Sequence, residues 1–151
     1  MGAPALRPLD RLSPLALLAS RVIVGVIMVT HGLQKLTGGP AGFAEFLTQL
    51  GVPAPGLMAW VVTLTELVGG VLLILGLLSR LAALALTINL TVAILLVKLP
   101  GPLIGAEGAG YELELALIAG FLVALFVGPG AISADRALGL DRARRSPAAA
   151  T

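Results

Sequence analysis

Between Leu15 and Leu36 the chain is almost wholly apolar, yet this stretch carries Arg21, His31 and Lys35. A helix needs about 20 apolar residues to cross the hydrocarbon core of a bilayer, so the stretch reads as a membrane span. A helix turns about 100° per residue, which puts Arg21, Gly25, Met28, His31, Gly32 and Lys35 on one face roughly 120° wide. Charges within a span are costly and turn toward the protein interior, where partners or a water-filled space receive them. The next apolar stretch offers one acidic candidate, Glu66.

Composition supports a lipid-embedded protein. Charged residues make up only 12% of the chain and the mean hydropathy is +1.03, whereas soluble domains carry about 25% charged residues. The formal net charge is only +2, and the basic residues sit mostly at the ends of spans and in the tail. That distribution sets membrane orientation and argues against nucleic-acid binding. Cysteine is absent, which excludes disulfides, thiol redox chemistry and cysteine-ligated metal clusters. Arg7 and Arg11 before an apolar run mimic a signal peptide. No small-residue cleavage site follows, so the run reads as a retained first span.

The chain divides into a polar segment 1–14, a membrane domain 15–130 and a basic tail 131–151. The expected architecture is all-α, a four-helix membrane bundle with spans at about 15–36, 57–78, 81–97 and 112–127. Ser13-Pro14 resembles a helix cap with proline in the first turn. Phe43, Phe46, Leu47 and Leu50 fall at i, i+3, i+4 and i+7, which marks a short amphipathic helix lying at the interface or across the mouth of the bundle. Trp60 opens span two near an interface, and Gly69, Gly70 and Gly76 permit close helix approach. With four spans, Arg7, Arg11, Arg80, Arg136, Arg142, Arg144 and Arg145 share one side, and Lys35 and Lys98 the other. The positive-inside rule then places both termini in the cytoplasm. Depth along the spans suggests an inner cluster of Arg21, His31, Glu66 and Asn89. An outer rim would hold Lys35, Lys98, Glu107, Glu112 and Glu114.

Several motifs together resemble one family. Span one reads Arg21-x3-Gly25-x5-His31-Gly32-x2-Lys35, and span two reads Glu66-x2-Gly69-Gly70-x5-Gly76-x3-Arg80. Gly110-Tyr111-Glu112 opens the fourth span, and Gly128-Pro129-Gly130-x2-Ser133-x-Asp135 closes it. In order and spacing these are similar to the DoxX family of small membrane proteins, over about Leu15 to Asp135. The resemblance implies a four-helix bundle in the bacterial cytoplasmic membrane. It also implies association with membrane redox systems, among them a thiosulfate:quinone oxidoreductase and assemblies linking radical detoxification with thiol handling. This chain has a single histidine, so a scheme needing two histidine ligands, such as a bis-His haem, does not apply.

Each candidate residue carries two readings. Arg21 with Glu66 is either a buried ion pair that fixes helix register or part of a polar pocket. His31 either satisfies a neighbouring carboxylate or contacts a ligand and relays protons; metal ligation is not expected. Lys35, Lys98, Glu112 and Glu114 form a solvated rim or steer a charged partner. Glu112 and Glu114 lie about 200° apart around their helix, so only one can face a common site. Intrinsic catalysis lacks support, since no nucleophile stands beside a base and no phosphate-binding loop occurs. The expected function is an accessory subunit of a quinone-linked or oxidative-stress redox system. Its intramembrane pocket would comprise Arg21, His31, Glu66, Lys35 and Asn89, with quinone as the candidate ligand. Redox-enzyme subunits or a second copy of the chain are the candidate partners. The alternatives are a proton-coupled or small-solute carrier and a structural scaffold.

Overall fold

A computed structural model describes residues 11–105 and 110–140 of the 151-residue chain. Arg7, Glu107, Arg142, Arg144 and Arg145 lie outside the described residues. Among those described, every regular element is a helix: α1 (Ser13–Thr37), α2 (Pro40–Gln49), α3 (Pro55–Leu75), α4 (Ser79–Ala93), α5 (Glu112–Phe126) and the short α6 (Ala134–Ala137). A π-helical turn, Ile94–Lys98, continues α4.

Proline starts three of these helices, where its missing N–H costs nothing. Ser13 is the first helical residue of α1 rather than its cap, and the Leu12 carbonyl accepts the N–H groups of Leu15 and Ala16. Gly76 ends α3 with φ of 68°, a left-handed conformation that glycine adopts without a Cβ penalty. The turn from Gly76 to Leu78 therefore falls inside the stretch read as span two.

Three helices are long and apolar enough to cross a membrane: Ser13–Thr37, Pro55–Leu75 and Ser79–Lys98. The fourth, α5, has 15 residues, or roughly 22 Å at about 1.5 Å per residue. It packs between α4 and α1 and closes the bundle. Neighbouring helices run antiparallel. Lys35 near the end of α1 meets Glu66 on α3, and Arg80 at the start of α4 reaches the Leu125 carbonyl near the end of α5. Exposed apolar residues such as Ile23, Val68, Ile88 and Phe126 face outward from these four helices, which is the surface a lipid bilayer covers.

Inside, Met28, Leu73, Leu86 and Phe121 are essentially inaccessible and form a dry plug across the middle of the bundle. The tightest seam is α1 against α3. A Cβ on Gly70 would lie 2.7 Å from the Gly25 carbonyl oxygen, and one on Gly32 would lie 2.7 Å from the Leu67 nitrogen. Backbone meets backbone there, so only glycine fits. The plug separates two polar ends of the bundle, and their contents differ.

Candidate functional site

At the end of the bundle where α1 gives way to α2, side chains from five helices line a partly open cavity of about 230 Å³. Its walls are mostly aliphatic, with Met28, Val62, Leu90, Ala93 and Leu117 prominent, and α2 roofs it with Phe43, Phe46 and Leu47. The amphipathic face of α2 therefore lies across the mouth of the bundle. Phe43 and Phe46 stack with ring centroids 6.2 Å apart, and Leu47 is buried. An engineered cavity of about 150 Å³ holds benzene, so this volume has room for a substituted ring.

The polar groups of the cavity are organised around Glu66. Its side chain is only 5% exposed. Its Oε2 accepts a hydrogen bond from the Lys35 ammonium at 2.5 Å, and its Oε1 accepts from Asn89 Nδ2 at 3.3 Å. Lys35 also lies 5.5 Å from the centroid of the Phe43 ring, a cation–π contact that ties the roof to the pair. On the opposite wall the Lys98 ammonium stands 3.5 Å from Glu114 Oε1 and donates to the Gly110 carbonyl at 3.2 Å. Glu114 Oε2 is buried and accepts no hydrogen bond among the described residues. His31 is half-buried on the cavity wall and makes no hydrogen bond among the described residues.

Most of the residues singled out from sequence thus meet: His31, Lys35, Glu66, Asn89, Lys98 and Glu114 share one cavity. Two do not. Glu112 is exposed and points away, as the angle between it and Glu114 requires. Arg21 lies at the other end, so the expected Arg21–Glu66 pair does not form. Arg21 is 2% exposed, and its Nη2 donates to the Ile132 carbonyl at 2.6 Å. The physical reason is distance along one face. Arg21 and Lys35 are roughly 21 Å apart at about 1.5 Å per residue, so one carboxylate can serve only one of them. The Gly32–Leu67 contact sets the register that gives Glu66 to Lys35.

Asp135 organises the Arg21 end, a role that sequence reasoning missed. Its Oδ1 accepts from the Leu78 N–H at 2.7 Å and its Oδ2 from the Ser79 N–H at 2.9 Å. Its own N–H donates to the Gly76 carbonyl at 2.9 Å. A residue after the fourth helix thereby caps the start of α4. Two signals were in the sequence: no Ser, Thr, Asp or Asn stands just before Ser79 to cap it locally, and Asp135 closes the Gly128–Asp135 motif. A second cavity of about 210 Å³ opens there beside Arg80 and Asp135.

Chemically, the α2-covered cavity pairs its formal charges. Lys35 with Glu66 and Lys98 with Glu114 sum to zero. Among the described residues no three potential metal ligands of the His, Cys, Asp or Glu type cluster. The arrangement suits a neutral molecule with an apolar ring and a few polar atoms, positioned by hydrogen bonds rather than by net charge.

Comparison with known proteins places these features in context. The DoxX family model matches residues 16–99. An uncharacterized membrane protein of Mycobacterium tuberculosis is 34% identical over 83% of this chain and 82% of its own length. A Bacillus subtilis protein named "Putative oxidoreductase CatD" is 39% identical over 65% of this chain and 71% of its own. The Escherichia coli inner membrane protein YphA is 30% identical over 82% and 90% respectively. No solved structure matches the chain.

Proposed function

The chain belongs to the DoxX family, and from that premise we propose that it is an accessory subunit of a membrane redox system, with the α2-covered cavity as the seat of a quinone-type head group. One observation carries the reading: an aliphatic, ring-sized cavity inside the bundle holds His31, the Lys35–Glu66–Asn89 group and Glu114 on its walls. Quinoid rings need that combination of apolar faces and polar edges. The oxidoreductase name carried by the B. subtilis relative adds support. In this reading any isoprenoid tail lies in the lipid, because the cavity has room for the ring alone.

The apolar plug of Leu73, Leu86 and Phe121, each with no accessible surface, favours a binding pocket over a carrier's path through the bundle. Arg11, Arg80 and Arg136 gather at the end opposite the cavity, which supports cytoplasmic termini and a cavity facing the outer leaflet. Redox-enzyme subunits, or a second copy of the chain, would then dock along the exposed helix faces.

Calorimetric titration of the detergent-solubilised protein with 1,4-naphthoquinone tests the proposal. Saturable binding is expected. It should be lost in Ala93→Phe, which fills the cavity from α4 while leaving every polar group in place. Equal heats from the variant and from the wild-type protein would sink the reading.

A further inference from the structure

The cavity beneath α2 is partly open, and helical phase shows where. On α3, Met58, Val62 and Gly69 fall at i, i+4 and i+11, which is one face of the helix. That face turns toward α4, because a Cβ on Gly69 would lie 3.1 Å from Leu86 Cγ. On α4 and its π-helical extension, Asn89, Val92 and Leu96 fall at i, i+3 and i+7, and Asn89 donates to Glu66 on α3. The two helices, joined by the tight turn at Gly76, therefore meet at Gly69 and Leu86 and are bridged again at Glu66 and Asn89. Farther from the turn, Met58, Val62, Val92 and Leu96 line the cavity from both sides of this seam. Val92 is 46% exposed and Leu96 53%, more than any other residue of the lining. A side chain that lines a cavity and also faces outward marks its mouth. All four are apolar.

Resting on the quinoid reading above, we infer that the cavity opens into the bilayer between α3 and α4, and that its ligand carries a hydrocarbon tail leaving through that mouth. Depth puts lipid rather than water outside it. Val92 lies six residues before Lys98, more than a helical turn below the charged rim. An apolar mouth at that depth admits a molecule already dissolved in the membrane, and the tail keeps its apolar surface out of water throughout. The other exposed lining residues fit this role less well. Phe46 belongs to the roof, and Leu113 stands beside the exposed Glu112 in the first turn of α5, at the rim itself. The ring then lies next to Glu66 and Asn89, with the tail along Val92 and Leu96. The ligand is an amphiphile of the lipid phase rather than a water-soluble ring.

Two compounds test the route, each titrated into the full chain in lipid nanodiscs against empty nanodiscs: 1,4-naphthoquinone, which has no tail, and 2-decyl-1,4-naphthoquinone. Val92→Trp narrows the mouth from α4. It should weaken binding of the decyl compound by about tenfold or more, which is what denying burial to about two methylene groups costs. The tail-less ring should stay within about threefold of wild type, which also shows that the variant folds. Leu113→Trp should leave both compounds within about threefold. A second measurement needs no variant: a decyl analogue with a diazirine on the first tail carbon should photolabel Met58, Val62, Val92 or Leu96 in the wild-type protein. If Val92→Trp binds both compounds as wild type does, or if the label falls on α1 or α5, the route between α3 and α4 fails and the quinoid site stands. If neither compound binds the wild-type chain, the quinoid site fails with it.

Discussion

Lys35→Met is expected to destabilise the protein by about 3 kcal/mol, because it leaves the Glu66 carboxylate buried without its cation. The figure is taken from the lower end of the range for a broken buried pair, since a fifth of the Lys35 side chain, 21%, stays accessible. Removing both partners, as Lys35→Met with Glu66→Leu, should restore most of the loss. Apolar packing replaces an ion pair whose desolvation offsets its attraction. A double-mutant cycle read by denaturant unfolding in micelles measures this coupling. The same cycle on Arg21→Met and Glu66→Leu should give additive effects within about 0.5 kcal/mol, because those residues occupy opposite ends of the bundle. Strong coupling between Arg21 and Glu66 would reverse the assignment.

Asp135→Ala is expected to cost about 2–4 kcal/mol, through the loss of two bonds to the first N–H groups of the α3–α4 turn. Asp135→Asn keeps one carbonyl acceptor and should cost roughly half as much. Because Asp135 lies after α5, the change should also loosen the closing segment from Gly128 onward. Hydrogen exchange at Leu78 and Ser79 would report it as faster exchange in the variants. Unchanged protection at both amides would show that the carboxylate does not hold the turn.

The helical fold was legible because the apolar stretches are long and their polar residues few. The amphipathic period from Phe43 to Leu47 marked α2 equally well. Face was legible as well, since Arg21, His31 and Lys35 do turn inward. Depth was the obscure quantity. Sequence gives each helix its phase to within a few tens of degrees, but its height depends on how two helices slide past each other. A shift of one helical turn, about 5.4 Å, exchanges one ion-pair partner for another. Backbone contact at Gly32 and Gly70 sets that height, and no rule of charge complementarity could read it. Asp135 was obscure for a different reason. It pairs with residues 57 and 56 positions earlier, and the bonds are to backbone N–H groups, which carry no side-chain signature.

The central claim is that the cavity beneath α2 holds a ring-shaped ligand. Native mass spectrometry of protein gently extracted from its own membrane tests it most directly. The account predicts a small aromatic or quinoid adduct on the wild-type chain that is absent from Ala93→Phe. Finding only phospholipid adducts, equally abundant on both proteins, would contradict it.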